Sequence, residues 1–201
     1  MTDLGGRGRG PWIELALAVG ILAATLGVAA VWVRAREHPL GGGSRAFQIV
    51  RPATPAPVPR IALSDLAGRR VHLEDFRGRV ILLNFWATWC EPCRAEMPAM
   101  EALSRDLTDR GLTVVAVNYQ EPVRAVQAYV RELGVTFPIL RDAEGQVARE
   151  LHVPGLPATF LIGRDGAVIG TALGYRDWNA PEARAFISEL LAAPPRGVAA
   201  R

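Results

Sequence analysis

The chain contains no lysine, because all 23 of its basic residues are arginine. This absence excludes lysine nucleophiles and Schiff-base formation from its chemistry. Once the four arginines and two acidic residues of positions 1–36 are set aside, 19 arginines and 18 acidic residues remain. No block of basic residues occurs, so the sequence lacks the charge pattern of a nucleic-acid-binding protein.

Cysteine and histidine are also scarce, with two and three residues in the chain. The histidines (His38, His72 and His152) are not paired at the spacing of metal ligands. A structural zinc site needs four protein ligands, so the sequence predicts no metal site. Nothing in it predicts a bound cofactor such as a flavin or a nicotinamide.

One long apolar segment is present, at residues 12–33, and its only charged residue is Glu14. At ~1.5 Å per residue, its 22 residues span roughly 33 Å as a helix, enough to cross a hydrocarbon core of about 30 Å. Trp12 and Trp32 suit the two membrane interfaces. We predict an uncleaved transmembrane signal anchor. The alternative is a cleaved signal peptide with a small-residue site at 28–30, but such apolar regions usually run about 7–15 residues.

The rest of the chain divides around this segment. A short segment, residues 1–11, precedes it, and residues 34–59 contain GGGS and PATPAPVP. This Gly- and Pro-rich composition predicts a linker. We predict a folded domain over residues 60–192 and a disordered tail over residues 193–201.

Strand and helix patterns alternate within residues 60–192. The apolar runs RVILLNFWA and LTVVAVNY are typical of central strands buried on both faces. Shorter strands are expected at IALSDL, RRVHL, FPIL, ATFLIG and AVIGTALG. Amphipathic patterns predict helices over 91–110, 123–133, 146–151 and 180–191. This order predicts an α/β domain with a central mixed β-sheet flanked by helices.

Both cysteines, Cys90 and Cys93, lie in the stretch NFWATWCEPCRAEMP, where a predicted strand ends and a predicted helix begins. Residues three apart in a helical turn are about 5–6 Å apart, within the range of a disulfide. The helix N-terminus favours a thiolate, and C-x-x-C thiols commonly have lowered pKa values. A redox dithiol is therefore favoured over half of a metal site or two structural cysteines.

The motif WCEPC after an apolar strand, with LPATFLI about 65 residues later, resembles the thioredoxin superfamily. The spacing and the predicted membrane anchor resemble its TlpA/ResA branch of membrane-anchored thiol-disulfide oxidoreductases, which have an AhpC/TSA-redoxin-like domain. The resemblance covers roughly residues 58–192. It implies a thioredoxin fold with an N-terminal β-hairpin and an inserted strand–helix unit, preceded by one transmembrane helix. It also implies a single-pass protein of the cytoplasmic membrane, with residues 1–11 cytoplasmic and the catalytic domain on the periplasmic side.

The resemblance also implies roles for individual residues. Cys90 would be the exposed nucleophile and Cys93 the resolving thiol, and Pro157 would follow a cis peptide bond. Four residues are expected to bind the substrate around the dithiol: Trp89, Pro92, Leu156 and Pro157.

Asn84 departs from ordinary thioredoxins, which carry at this position a buried aspartate that moves protons to and from the inner cysteine. Asparagine cannot ionise, so another group must act in its place. Glu96, three residues after Cys93 on the same predicted helix, is the expected third catalytic residue. Burial and a nearby thiolate would raise its pKa towards neutrality; the alternative is a solvated glutamate near the helix start.

These features predict a membrane-tethered oxidoreductase, mainly a reductase of protein disulfides, acting outside the cytoplasmic membrane in cytochrome c maturation or related cell redox homeostasis. Expected partners are disulfide-bonded proteins such as apocytochrome c, a membrane electron donor of the thiol-transfer type, and the lipid bilayer. No nucleic acid is expected. One alternative is a thiol peroxidase of the redoxin group, which needs a threonine where Ala87 stands. The other is a non-enzymatic metal or apoprotein chaperone.

Overall fold

The computed structural model describes residues 48–194. The predicted signal anchor at 12–33 and the segment 1–11 lie outside these residues, as does most of the predicted tail. Between residues 48 and 194, no helix combines the length and the apolar character needed to cross a membrane.

Two apolar strands form the centre of the sheet, as their sequences predict. β4 (Val80–Trp86) and β5 (Leu112–Tyr119) pair in parallel, and every residue of β4 is buried. Six further strands complete the sheet that the described residues form: β1 (Ala56–Pro57), β2 (Ala62–Asp65), β3 (Arg70–His72), β6 (Ile139–Asp142), β7 (Ala158–Ile162) and β8 (Ala167–Leu173).

The strand order is β1-β8-β7-β4-β5-β6-β2-β3, with both parallel and antiparallel neighbours. The N-terminal hairpin is present, because β2 and β3 pair antiparallel around a turn at 66–69. β6 joins the sheet between β5 and this hairpin. The chain reaches β6 through one helix, and a second, short helix separates β6 from β7.

Within residues 48–194, four α-helices cover the sheet: α1 (Glu91–Leu107), α2 (Val123–Leu133), α3 (Gln146–Glu150) and α4 (Pro181–Ala192). Buried residues of α1, α2 and α4 pack in one cluster on one face of the sheet, while α3 and the β2–β3 hairpin belong to a second cluster on the other. α1 continues through Pro98 and ends three residues before the predicted Arg110, where a 3₁₀ turn (Thr108–Arg110) and Gly111 follow.

The sheet begins before the predicted domain boundary at residue 60. Val50 exchanges two backbone hydrogen bonds of 2.8 Å with Thr171, and β1 pairs antiparallel with β8. The predicted linker, residues 34–59, is therefore too long at its C-terminal end. Proline lacks a donor but is tolerated on an edge strand, which explains how a Pro-rich segment still lines this edge.

Candidate active site

The two cysteines form a disulfide at the junction of β4 and α1. β4 ends at Trp86, the N–H of Cys90 donates to the carbonyl of Ala87 at 3.2 Å, and α1 begins at Glu91 with Cys90 as its N-cap. The Cα atoms of Cys90 and Cys93 are 5.3 Å apart. The predicted strand, turn and helix thus place both sulfurs at a helix N-terminus, where the helix dipole favours a thiolate.

The two cysteines differ in accessibility. Cys90 is 5% exposed and Cys93 is fully buried, so the predicted exposure of Cys90 is small, but Cys90 is still the more accessible cysteine. Trp89 beside it is 67% exposed, and Pro92 is also exposed. A disulfide or thiol that approaches from solvent would therefore reach Cys90 before Cys93.

The Glu96 carboxylate is fully buried, not solvated. The Asn84 side chain donates to its Oε1 at 2.8 Å, and the backbone N–H of Arg176 donates to its Oε2 at 3.2 Å. Burial raises the pKa of Glu96 to about 7, although hydrogen bonds from Arg176, Asn84 and Trp178 and the charge of Arg176 act in the opposite direction. A carboxyl group that titrates near neutral pH can both accept and release protons there.

Asn84 and Glu96 are in direct contact. Asn84 stands where ordinary thioredoxins have a proton-carrying aspartate, and Glu96 is the residue predicted to replace that aspartate. The same Asn84 amide donates to Thr159 Oγ1 at 3.0 Å. Asn84 and Thr159 are also register partners in the β4–β7 ladder. The amide thereby joins the carboxylate on α1 to the strand that follows Pro157.

The predicted cis peptide bond is present between Leu156 and Pro157. Pro157 is buried immediately before β7, and its carbonyl accepts the N–H of Gly174 at 2.8 Å. Since β7 pairs with β4, the strand that leads to the dithiol, the sheet brings the Pro157 loop to the same end as Cys90.

A surface groove of about 280 Å³ lies beside this loop. Of the four predicted substrate-binding residues, it brings together Trp89 and Leu156, whereas Pro92 and Pro157 are not part of its lining. The remaining lining is mostly apolar, with one arginine and one histidine: Tyr119, Ala148, Arg149, His152, Val153, Pro154 and Gly155.

Several residues of the site were not predicted. Glu121 accepts the backbone N–H of Thr88 at 2.7 Å and the Thr88 hydroxyl, and Asn118 donates to it at 2.7 Å. This carboxylate fixes the turn two residues before Cys90. Arg176 was missed because it reaches Glu96 through a backbone N–H, which almost any residue type supplies, from 80 positions away.

Comparison with known proteins places this arrangement in a family. The family model described as AhpC/TSA family matches residues 55–170, more than half of the chain. The chain belongs to the AhpC/TSA family. The match begins just before β1 and ends within β8, so it includes the dithiol, Glu96 and the Pro157 loop.

The chain is also similar to proteins named thiol-disulfide oxidoreductase ResA. It is 44% identical to ResA of Geobacillus thermodenitrificans over 110 residues, which are 55% of this chain and 63% of that protein. With ResA of Bacillus subtilis the identity is 40% over 116 residues, 58% of this chain and 65% of that protein. The chain thus matches slightly less than two thirds of the length of these curated relatives.

A solved structure supports the same assignment at the level of the fold. The crystal structure of a candidate thiol:disulfide interchange protein DsbE from Chlorobium tepidum is 30% identical, with a TM-score of 0.65. It aligns with 72% of this chain and with all of that chain. The AhpC/TSA domain described here is therefore a ResA-like member of the thioredoxin superfamily, with a mixed α/β thioredoxin-like fold.

Proposed function

We propose that the protein is a thiol-disulfide oxidoreductase that works mainly as a reductase of protein disulfides. The observation that carries this proposal is the Cys90–Cys93 pair with the buried Glu96 one helical turn behind Cys93. The names of the ResA relatives and of the DsbE structure support it.

In the reduced protein, Cys90 performs the first step. Its thiolate attacks one sulfur of a substrate disulfide, so a Cys90–substrate bond forms and the substrate S–S bond breaks. The first substrate thiolate leaves and takes up a proton. The helix N-terminus lowers the cost of the Cys90 thiolate, and the exposed Trp89 and Pro92 border the approaching chain.

Cys93 performs the second step. Glu96 accepts its proton, and the thiolate attacks Cys90 Sγ, which forms the Cys90–Cys93 disulfide and releases the second substrate thiolate. Two electrons have passed from the dithiol to the substrate. A dithiol donor then reverses the exchange, and Glu96 returns the proton to Cys93. A carboxyl group with a pKa of about 7 suits both directions.

Substrate binding is proposed for the surface around Cys90. Trp89 and Leu156 border the groove and Pro92 lies on the exposed side of the dithiol. Pro157 is buried, so its role is to hold Leu156 in place. An extended segment of a protein substrate would lie across Leu156 with its disulfide over Cys90.

The proposed location and pathway rest on the predicted anchor at 12–33 and on the resemblance to the TlpA/ResA branch. The protein would be tethered to the cytoplasmic membrane with this domain outside, where it would reduce apocytochrome c or a related substrate. Its electrons would come from a thiol-transfer donor in the membrane. The peroxidase alternative is not favoured, because Ala87 is buried and supplies no hydroxyl near the dithiol.

A Cys93→Ser variant tests the identity of the protein substrate. It keeps the nucleophile but lacks the resolving thiol, so a mixed disulfide between Cys90 and the substrate should accumulate in the native host. Mass spectrometry of the trapped species should identify an apocytochrome c. The control is the Cys90→Ser, Cys93→Ser double variant, which cannot form the bond. Absence of an adduct, or equal adducts in both variants, would contradict the proposal, as would normal holocytochrome c after deletion of the gene.

A reporter fusion tests the location. Alkaline phosphatase joined after Arg201 of the full chain should be active and should fractionate with membranes, because the enzyme needs an oxidising compartment to form its disulfides. An inactive reporter with normal expression would place the domain in the cytoplasm. An active reporter in the soluble fraction would mean that residues 12–33 are a cleaved signal.

A further inference from the structure

Arg176 connects two regions of the described chain that are far apart in sequence. Its backbone N–H donates to Glu96 Oε2 at 3.2 Å. Its guanidinium donates to the carbonyls of Tyr175 and Gly174 at 2.7 and 3.3 Å, and to the carbonyl of Gln48 at 3.1 Å. One residue therefore contacts both the catalytic carboxylate and the first described residue of the chain.

Residues 48–51, which we call the arm, are held against the sheet and α4. Val50 pairs with Thr171 through two backbone hydrogen bonds of 2.8 Å. The Arg51 guanidinium lies over the Phe186 ring, 5.5 Å from its centre. Val50 and Arg51 thus hold the C-terminal end of the arm. At its N-terminal end, the Gln48 carbonyl accepts a hydrogen bond from the Arg176 guanidinium.

Gly170 makes room for the arm. A Cβ added at this position would lie only 2.5 Å from Ile49 Cγ2. This methyl group is attached to the β-carbon of a branched side chain, which has little rotational freedom, so it could not move aside without displacing the arm. Gly170 is not at a positive φ. An alanine at this position would therefore displace the arm by a steric clash with Ile49, not through a strained backbone conformation.

We propose that the arm is a positioning element for Glu96, acting through Arg176. With the Gln48 carbonyl bound on one side and the Gly174 and Tyr175 carbonyls on the other, the guanidinium fixes segment 174–176. The Arg176 backbone N–H then stays directed at Glu96 Oε2. The inference deepens the proposed function, since it rests on Glu96 as the proton-handling group of the dithiol.

The charges around Glu96 give the direction of the effect. Arg176 is the charged group that faces it from segment 174–178, with the neutral side chains of Trp178 on that segment and of Asn84 on β4. On its own helix, Glu96 is followed back towards the N-terminus by Cys93 and Cys90, which are joined in the oxidised protein and so carry no titratable thiol there. Arg176 stabilises the ionised carboxylate through its N–H and its charge. Releasing the arm weakens both, so Glu96 should ionise at a higher pH.

Gly170→Ala in the full-length oxidised protein tests this coupling. The readout is the infrared band of the protonated carboxyl group, assigned as the band that disappears in Glu96→Gln and followed against pH. The band's midpoint should move upward by about one pH unit, the scale of one charge-assisted hydrogen bond. Arg176→Gln should move it in the same direction.

Two companion variants separate the arm from general damage to the sheet. Ile49→Ala in the Gly170→Ala background removes the clashing methyl group and should return the midpoint towards the wild-type value. Gly163→Ala, near the turn of the β7–β8 hairpin, should leave the midpoint unchanged. Its Cβ would come within 2.7 Å of the Asp165 carboxylate, which is the end of a side chain, and would meet the Ile169 methyl group and the Ala167 carbonyl oxygen at ordinary distances of 3.5 and 3.7 Å.

The proposal is overturned if the midpoint is the same in wild type, Gly170→Ala and Arg176→Gln while near-UV circular dichroism shows that all three are folded. It is also overturned if Ile49→Ala gives no restoration. The infrared readout needs no turnover. A failed coupling is therefore distinguishable from a failed reductase function, which appears instead as undiminished disulfide reduction in Cys90→Ser.

Discussion

Cys90→Ser is expected to reduce the rate of insulin disulfide reduction to the uncatalysed background, a loss of several orders of magnitude, as when an enzyme loses its nucleophile. A serine hydroxyl cannot form the mixed disulfide. Cys93 cannot take over, because it is fully buried behind the turn that carries Cys90. The assay is turbidity of insulin with a dithiol donor and equal amounts of folded variants.

Glu91→Gln is the matched control, because it changes an exposed residue directly beside Cys90 without removing a sulfur. It should retain most of the activity. Equal rates for wild type and Cys90→Ser would contradict the enzyme assignment and favour the alternative of a non-enzymatic chaperone that uses the same surface.

In the oxidised protein, the free energy of unfolding of wild type is expected to fall relative to that of Glu96→Gln as the pH rises from about 4.5 to 7. The total change should be about 3 kcal/mol. The pKa of Glu96 is raised from 4.5 to about 7 in the folded state. Below pH 4.5 the carboxyl group is protonated in both states. Between these values the unfolded chain loses its proton while the folded protein retains it, so wild-type stability falls as the pH rises.

The magnitude follows from the pKa difference, since each unit corresponds to about 1.36 kcal/mol. Glutamine at 96 keeps the shape and does not titrate, so the difference between the two unfolding free energies isolates this one group. Urea denaturation at a series of pH values measures it.

Glu101→Gln is the control, because its effect should have the opposite sign. Burial acts to raise the pKa of Glu101, but hydrogen bonds from Thr136 and the Arg105 guanidinium outweigh it and lower that pKa. Wild-type Glu101 therefore contributes stability above its unfolded pKa that is lost as the pH falls. A wild-type minus Glu96→Gln difference that is flat across pH 4.5–7 would mean that the Glu96 carboxyl is not held protonated by burial.

The parts of the site that the sequence predicted are local. Cys90, Cys93 and Glu96 lie within seven residues. The strand-to-helix junction and the helical period were enough to place Cys90 at the start of α1, with Cys93 and Glu96 one turn apart on that helix. The cis bond before Pro157 could be predicted only through the resemblance, because most X-Pro bonds are trans.

The parts that could not be predicted depend on contacts between distant segments. Thr159 and Arg176 lie 75 and 80 residues from their partners Asn84 and Glu96, and both act through common hydrogen-bonding groups. The Pro-rich composition of residues 52–59 indicated a linker. Part of this segment instead pairs with β8 as strand β1, and composition alone does not indicate such a pairing with a distant strand.

We propose that Glu96 handles the proton of the dithiol in place of the aspartate that Asn84 replaces. The most direct test compares wild type and Glu96→Gln by single-turnover disulfide reduction beside a thiolate absorbance titration. Without the carboxylate, repulsion against thiolate formation disappears, so the titration should move to lower pH, spread over both coupled cysteines. Reduction should nevertheless slow, because Cys93 has lost its base. An unchanged titration together with an unchanged rate would contradict the claim.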